Sequence, residues 1–233
     1  MKYDHFVVQS PATPAQQLVL LFHGVGDNHT AMGEGIGRYF AEAFPEAMVV
    51  SIGGPYPHTV ANGRQWFSVA GITDENRQAR VDEAMPLFVE AVREWQTASG
   101  VMPAATALIG FSQGAIMALE STKLHPGLAS RIVAFNGRFA TVPQQATTAT
   151  TIHMINGDED KVIEGLYAFQ AQEALIAAGG DMTLDMVEGL GHAINDRSME
   201  LALNHLRYTV PKHYFDEALS GGKPDNDDLI EMI

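Results

Sequence analysis

The chain has 233 residues, 46% hydrophobic and 18% charged, which suits one α/β domain with a sizeable core. Its formal net charge of −14 argues against nucleic acid or an anionic membrane as partner, since either would want clustered Lys and Arg. Cysteine is absent, which excludes disulfides, thiolate metal sites and a cysteine nucleophile.

The N-terminus, Met1-Lys2-Tyr3-Asp4-His5, opens no basic segment followed by a long apolar run, so no signal peptide is expected. No apolar stretch approaches the ~20 residues of a membrane span. A soluble, cytoplasmic protein is the expectation for a bacterial source. Residues 6–8 read as a short strand, followed by a proline-containing turn at residues 10–14. Leu18-Val19-Leu20-Leu21-Phe22 is a continuous apolar run, as in a central strand buried on both faces. It ends in His23-Gly24-Val25-Gly26-Asp27. Residues 30–43 read as a helix weakened by Gly33, Gly35 and Gly37. Residues 48–52 are the next strand. Residues 53–70 form a long loop rich in Gly, Pro and aromatics, a length that tends to be functional. Thr73 or Asp74 then caps a helix running to about Thr97, with Val81, Met85, Phe88 and Val92 at core-packing spacing.

Residues 104–109 predict a buried strand and residues 115–120 a helix. Between them lies Gly110-Phe111-Ser112-Gln113-Gly114. A serine at so sharp a strand-to-helix turn is forced outward, and Cβ atoms at the flanking glycines would collide with strand or helix. Further strands are expected at residues 132–135, 151–155 and 182–187, and further helices at 164–178 and 193–208. This alternation predicts a mainly parallel sheet covered on both faces, with the post-strand loops along one edge. The chain reads as a single domain over residues 1–215, followed by an acidic, mobile tail over 216–233.

Three loops on that edge carry chemistry. Ser112 follows one strand, Asp160 lies in Asn156-Gly157-Asp158-Glu159-Asp160 after another, and His192 follows a third in Gly189-Leu190-Gly191-His192. An imidazole can take the serine proton as the oxygen attacks a carbonyl, then give it to the departing alcohol or thiol. A carboxylate behind the ring fixes its tautomer. Asp158 and Glu159 adjoin Asp160 and could present a carboxylate to the same edge. The amides of Gln113, at a helix start, and of Val25, in the glycine-rich turn, are the expected oxyanion donors. His23 is expected to brace that turn and His153 to sit in the core. No His-x₃-His or similar spacing supports a metal site, and no cofactor is expected.

His23-Gly24-Val25-Gly26-Asp27, Gly110-Phe111-Ser112-Gln113-Gly114 and Gly191-His192 together resemble the phospholipase/carboxylesterase family, which includes acyl-protein thioesterases. Gly63-Arg64-Gln65-Trp66-Phe67 is similar to that family's Arg-x-Trp-Phe segment, and the resemblance spans about residues 18–206. It implies an α/β-hydrolase fold, with a mostly parallel central sheet, helices on both faces and no large lid domain. It implies Ser112 as nucleophile, Asp160 as acid, His192 as base, and the Val25 and Gln113 amides as the oxyanion hole. Around the substrate it implies a pocket with His23 and Gly24, walled by Trp66 and Phe67. The family pattern Asp-Pro-Val-Val stands here as Asp160-Lys161-Val162-Ile163, which leaves Asp158 open as the acid.

A serine esterase acting on short or medium acyl esters, or thioesters, is the leading expectation. A lysophospholipase or acyl-protein thioesterase is the alternative within enzymes. A binding protein on a retired hydrolase fold is the alternative outside them. The expected partner is a small acyl substrate, without nucleic acid or stable membrane association, and the protein is expected as monomer or homodimer.

Overall fold

A computed structural model of the protein describes residues 1–60, 62–146 and 148–219. The acidic run at 221–228 and the apolar end at 229–233 lie outside the described residues.

The chain opens with strands β1 (His5–Gln9) and β2 (Gln17–Phe22). A helical stretch follows in three parts: α1 (His29–Met32), a π-helical turn (Gly33–Gly37) and α2 (Arg38–Ala43). Strand β3 (Ala47–Ile52) leads into the long loop, which holds a small hairpin of β4 (Tyr56–Pro57) and β5 (Arg64–Gln65). Helix α3 (Asp74–Ser99) is capped by Thr73, whose hydroxyl accepts from the Asn76 amide while the Asn76 side chain accepts from the Thr73 amide. Strand β6 (Thr106–Phe111) passes through Ser112 into α4 (Gln113–Leu124). The remaining elements are β7 (Arg131–Phe135), β8 (Thr151–Gly157), α5 (Leu166–Ala177), β9 (Asp181–Val187), α6 (Asp196–Tyr208) and α7 (Lys212–Leu219).

Seven strands form one sheet in the order β1-β3-β2-β6-β7-β8-β9. Only β1 runs antiparallel to its neighbour; every other pair is parallel. Helices α3, α4 and α5 bury one face around Phe22, Phe88, Leu108 and Met117. Helices α2 and α6 bury the other around Leu21, Phe40, Phe135 and Met199. With both faces covered, the middle strands need apolar residues over most of their length, which is why β2 and β6 read as apolar runs. The register sets Phe22 against Gly110, Phe111 against Phe135, Phe135 against Ile155, and Gly157 against Val187. The C-terminal ends of five parallel strands are therefore level, and the loops leaving them share one edge.

Two local features differ from the sequence reading. The glycines of residues 30–43 do not merely weaken a helix. A Cβ at Gly33 would lie 2.5 Å from the Phe6 ring, and one at Gly37 would lie 2.7 Å from Val8, so the bare backbone packs directly on β1. The boundary expected at residues 215 and 216 falls inside α7.

Candidate active site

Ser112 sits at the end of β6 with φ 52° and ψ −113°, a conformation that costs a non-glycine residue about 1–3 kcal/mol. Its neighbours hold it there. The Ser112 amide donates to Phe135 O at 3.0 Å, and the Ser112 carbonyl accepts from the Ile116 amide at 3.0 Å. A Cβ at Gly110 would lie 2.4 Å from the Ala115 nitrogen, and one at Gly114 would lie 2.1 Å from Phe22 O. Both glycines of the motif are thus required by close approach of backbone to backbone.

His192 leaves the loop after β9 and reaches Ser112, its Nε2 lying 2.9 Å from the serine Oγ. Its Nδ1 lies 2.6 Å from Asp160 Oδ2. A carboxylate accepts only, so Nδ1 carries the proton and Nε2 turns its lone pair to the serine hydroxyl. The Phe111 ring packs against the imidazole at 5.0 Å between centroids. Asp160 is buried, whereas Asp158 and Glu159 are exposed, and only Asp160 touches the ring. Its Oδ1 accepts from the Val162 and Ile163 amides at 2.8 and 2.9 Å. The loop thus holds its carboxylate by backbone donors although proline is missing after the acid. Burial pushes the Asp160 carboxyl up, but the donors from His192, Ile163, Asn136 and Val162 outweigh it and leave the group below the usual carboxylate range.

The turn after β2 lies against the serine, since a Cβ at Gly24 would sit 3.3 Å from Ser112 Cβ. The fully buried His23 uses both ring nitrogens on the protein. Gly54 donates to Nε2 at 2.9 Å, so Nδ1 carries the proton and donates to Gly24 O at 2.7 Å. Burial keeps this ring neutral by lowering its pKa. The Gly24 carbonyl belongs to the same planar peptide as the Val25 amide, so the bond from His23 fixes where that amide points. Backbone pairs between Gly26 and Arg64, and between Arg64 and Asp27, tie the turn to β5. The Gln113 amide opens α4 and has no carbonyl one turn back to bond.

Three residues expected at the pocket are buried. Trp66 is fully buried, packed on Phe22 and Phe88 at 5.5 and 5.4 Å, with its Nε1 donating to His23 O at 3.2 Å. Phe67 is buried in the same cluster. Both belong to the core beneath the site and offer a substrate no open face, and His23 has no free nitrogen to offer one. Sequence reasoning also missed two contacts. The Gln113 side chain accepts from the Trp66 amide at 2.7 Å and donates to Phe67 O at 2.7 Å, fastening the long loop to the serine turn. Asn136 donates to Asp160 Oδ2 at 2.7 Å. Its one sequence signal is Asn136-Gly137 after a strand, a pair that favours positive φ.

Among the described residues, no group of three or more His, Cys, Asp and Glu side chains is placed to hold a metal ion. No described helix is long and apolar enough to cross a membrane.

Residues 3–210 match the phospholipase/carboxylesterase family. The chain is 70% identical to esterase YpfH of Escherichia coli (strain K12), over the full length of both. It is 28% identical to acyl-protein thioesterase 1 of Kluyveromyces lactis over 184 residues, covering 71% of this chain and 79% of that protein. Among solved structures, the crystal structure of esterase PE8 superposes with a TM-score of 0.78 at 28% identity, covering 89% of this chain and 98% of that one.

Proposed function

The chain belongs to the phospholipase/carboxylesterase family and is a carboxylic ester hydrolase, and from that premise we propose that it cleaves short- to medium-chain acyl esters through Ser112, His192 and Asp160. The observation that carries this reading is the hydrogen-bonded line from Asp160 through His192 to Ser112, at 2.6 and 2.9 Å. Ser112 Oγ attacks the ester carbonyl while its proton passes to His192 Nε2. The carbonyl oxygen becomes an oxyanion and takes hydrogen bonds from the Val25 and Gln113 amides. The imidazolium, steadied by Asp160, protonates the departing alcohol, leaving an acyl group on Ser112. Water, deprotonated by the same ring, then releases the acid and restores the serine.

Short acyl chains are supported by what surrounds the site. The aromatic side chains Trp66 and Phe67 are taken up in the core. Among the described residues, the exposed large apolar side chains on these loops are Val25, Tyr56, Val60 and Val162, and three of the four are small. The reading takes the protein as a monomer or homodimer, working in the cytoplasm free of membranes and nucleic acid. The thioesterase reading is favoured by the relative named acyl-protein thioesterase 1, and the same mechanism serves a thiol leaving group.

Replacement of Ser112 by Ala is expected to cut hydrolysis of nitrophenyl esters by about 10⁴-fold or more and to abolish labelling by a fluorophosphonate. Undiminished turnover in this variant would rule the mechanism out. Acyl length is tested on one leaving group: a rate still climbing past about twelve carbons would replace the short-chain reading with a lysophospholipase or depalmitoylase one.

A further inference from the structure

Strand β7 lies between β6, which ends in Ser112, and β8, whose loop carries Asp160. The two residues at its end touch all three of the loops involved. Phe135 O accepts from the Ser112 amide, and the Asn136 amide donates to Ile155 O, both at 3.0 Å. The Asn136 side chain then spends its Nδ2 twice, on Asp160 Oδ2 at 2.7 Å and on Gly191 O, one residue before His192, at 2.9 Å. A flipped amide would set its oxygen against two acceptors, so the orientation is determined.

Two costs accompany this placement. Asn136 is fully buried with φ 47°, a left-handed conformation that asparagine tolerates better than most residues. Its Oδ1 is buried with no hydrogen-bond partner among the described residues. Both costs are borne at a residue whose two donated hydrogens join the acid to the backbone that carries the base. We propose that Asn136 is a positioning residue for the Asp160–His192 pair, clamping the carboxylate and the histidine loop in one fixed relation.

The carboxylate needs such a clamp on its Oδ2 side. Oδ1 is held by two amides, but among the described residues Oδ2 meets only His192 and Asn136. Without Nδ2 the ring becomes its sole restraint there, and the Gly191 carbonyl is released as well. Asn136 is sealed from solvent, so its loss acts on the reacting groups and not on substrate binding. The titratable group that Asn136 touches is Asp160, which in turn holds His192; Asp158 and Glu159, on the same loop, are exposed.

The inference rests on the proposed serine mechanism, and its test separates the two. Asn136→Ala and the isosteric Asn136→Asp are assayed for ester hydrolysis and for the rate of fluorophosphonate labelling, with rates expressed per titratable serine. Because only competent sites are counted, partial unfolding does not mimic the effect. For Asn136→Ala, kcat and the labelling rate are expected to fall together by about 10- to 100-fold, with KM within about 2-fold of the parent. Asn136→Asp is expected to fall at least as far near neutral pH. A second carboxylate beside the pair favours the imidazolium, so the acid limb of its rate profile moves to higher pH. Parent-like kcat and labelling in either variant, with Ser112→Ala inactive, overturns the inference alone. Activity retained by Ser112→Ala overturns the mechanism beneath it.

Discussion

At the scale of single residues the site depends on proton placement. The proton on His192 Nδ1 is there because Asp160 Oδ2 can only accept, and that leaves Nε2 to face Ser112. Asp160→Asn keeps the size of the side chain and removes this constraint. An amide can donate to Nδ1, which would move the ring proton to Nε2 and aim a donor at the serine. We expect kcat for a nitrophenyl ester to fall by about 10³- to 10⁴-fold with the melting temperature little changed. A variant within 10-fold of the parent would mean that the carboxylate does not set the tautomer. In Asp158-Glu159-Asp160 three acids stand in a row, so residue types left Asp158 open beside the expected Asp160. The choice is made by the amides of Val162 and Ile163, which turn back onto Asp160 alone, and by Asn136 from another strand. Those are facts of backbone path and tertiary placement that residue types do not record.

At the scale of elements, what could be read was what packing forces on composition. Central strands buried on both faces are apolar over most of their length, so β2, β6 and β7 announce themselves. The turn at Ser112 is legible for a related reason, because two backbone segments come too close for any Cβ. Gly114→Ala tests that cause. The added carbon would lie 2.1 Å from Phe22 O, a backbone atom at the end of β2 that cannot swing away as a side chain would. We expect a loss of about 3 kcal/mol or more, seen as a clear drop in the urea midpoint, together with lost activity. An unchanged midpoint would show that α4 can shift on β6 and that the close approach is not obligatory. The long loop was harder to read. Aromatics within a glycine- and proline-rich segment could face a substrate or the core. The deciding contacts of Trp66 come from Phe22 and Phe88, far away in sequence, and from the Gln113 side chain. Gly33 and Gly37 were likewise ambiguous in sequence, because β1, which lies against them, is distant in the chain.

At the scale of the whole molecule, the sheet that levels the site also encloses ionisable groups whose burial links stability to pH. His153 lies within β8, fully buried, with Nδ1 against Thr183 Oγ1 at 2.9 Å and no partner for Nε2 among the described residues. Its ring stacks on His205 at 4.6 Å. Burial chiefly, then the nearby His205 and Arg131, lower its pKa to about 3. In the unfolded chain the same group titrates near 6.5. Between these values the unfolded chain binds a proton that the folded chain refuses. His153 therefore leaves stability intact above pH ~6.5 and withdraws about 1.4 kcal/mol per pH unit as pH falls below it. Asp160 acts in the same sense at lower pH, because its carboxyl is held below the usual range and its contribution disappears as it becomes protonated. Falling pH also reduces the net charge of −14, which relieves self-repulsion and opposes both effects. That background is common to the parent and a single-site variant, so their difference isolates the histidine. His153→Asn keeps a polar atom near Thr183 and cannot titrate. We expect its urea unfolding free energy to fall less steeply than the parent's between pH 6.5 and 4, by about one proton's worth of slope. Parallel curves would mean that His153 takes up its proton as readily in the folded protein as in the unfolded one, and that water reaches the interior of β8.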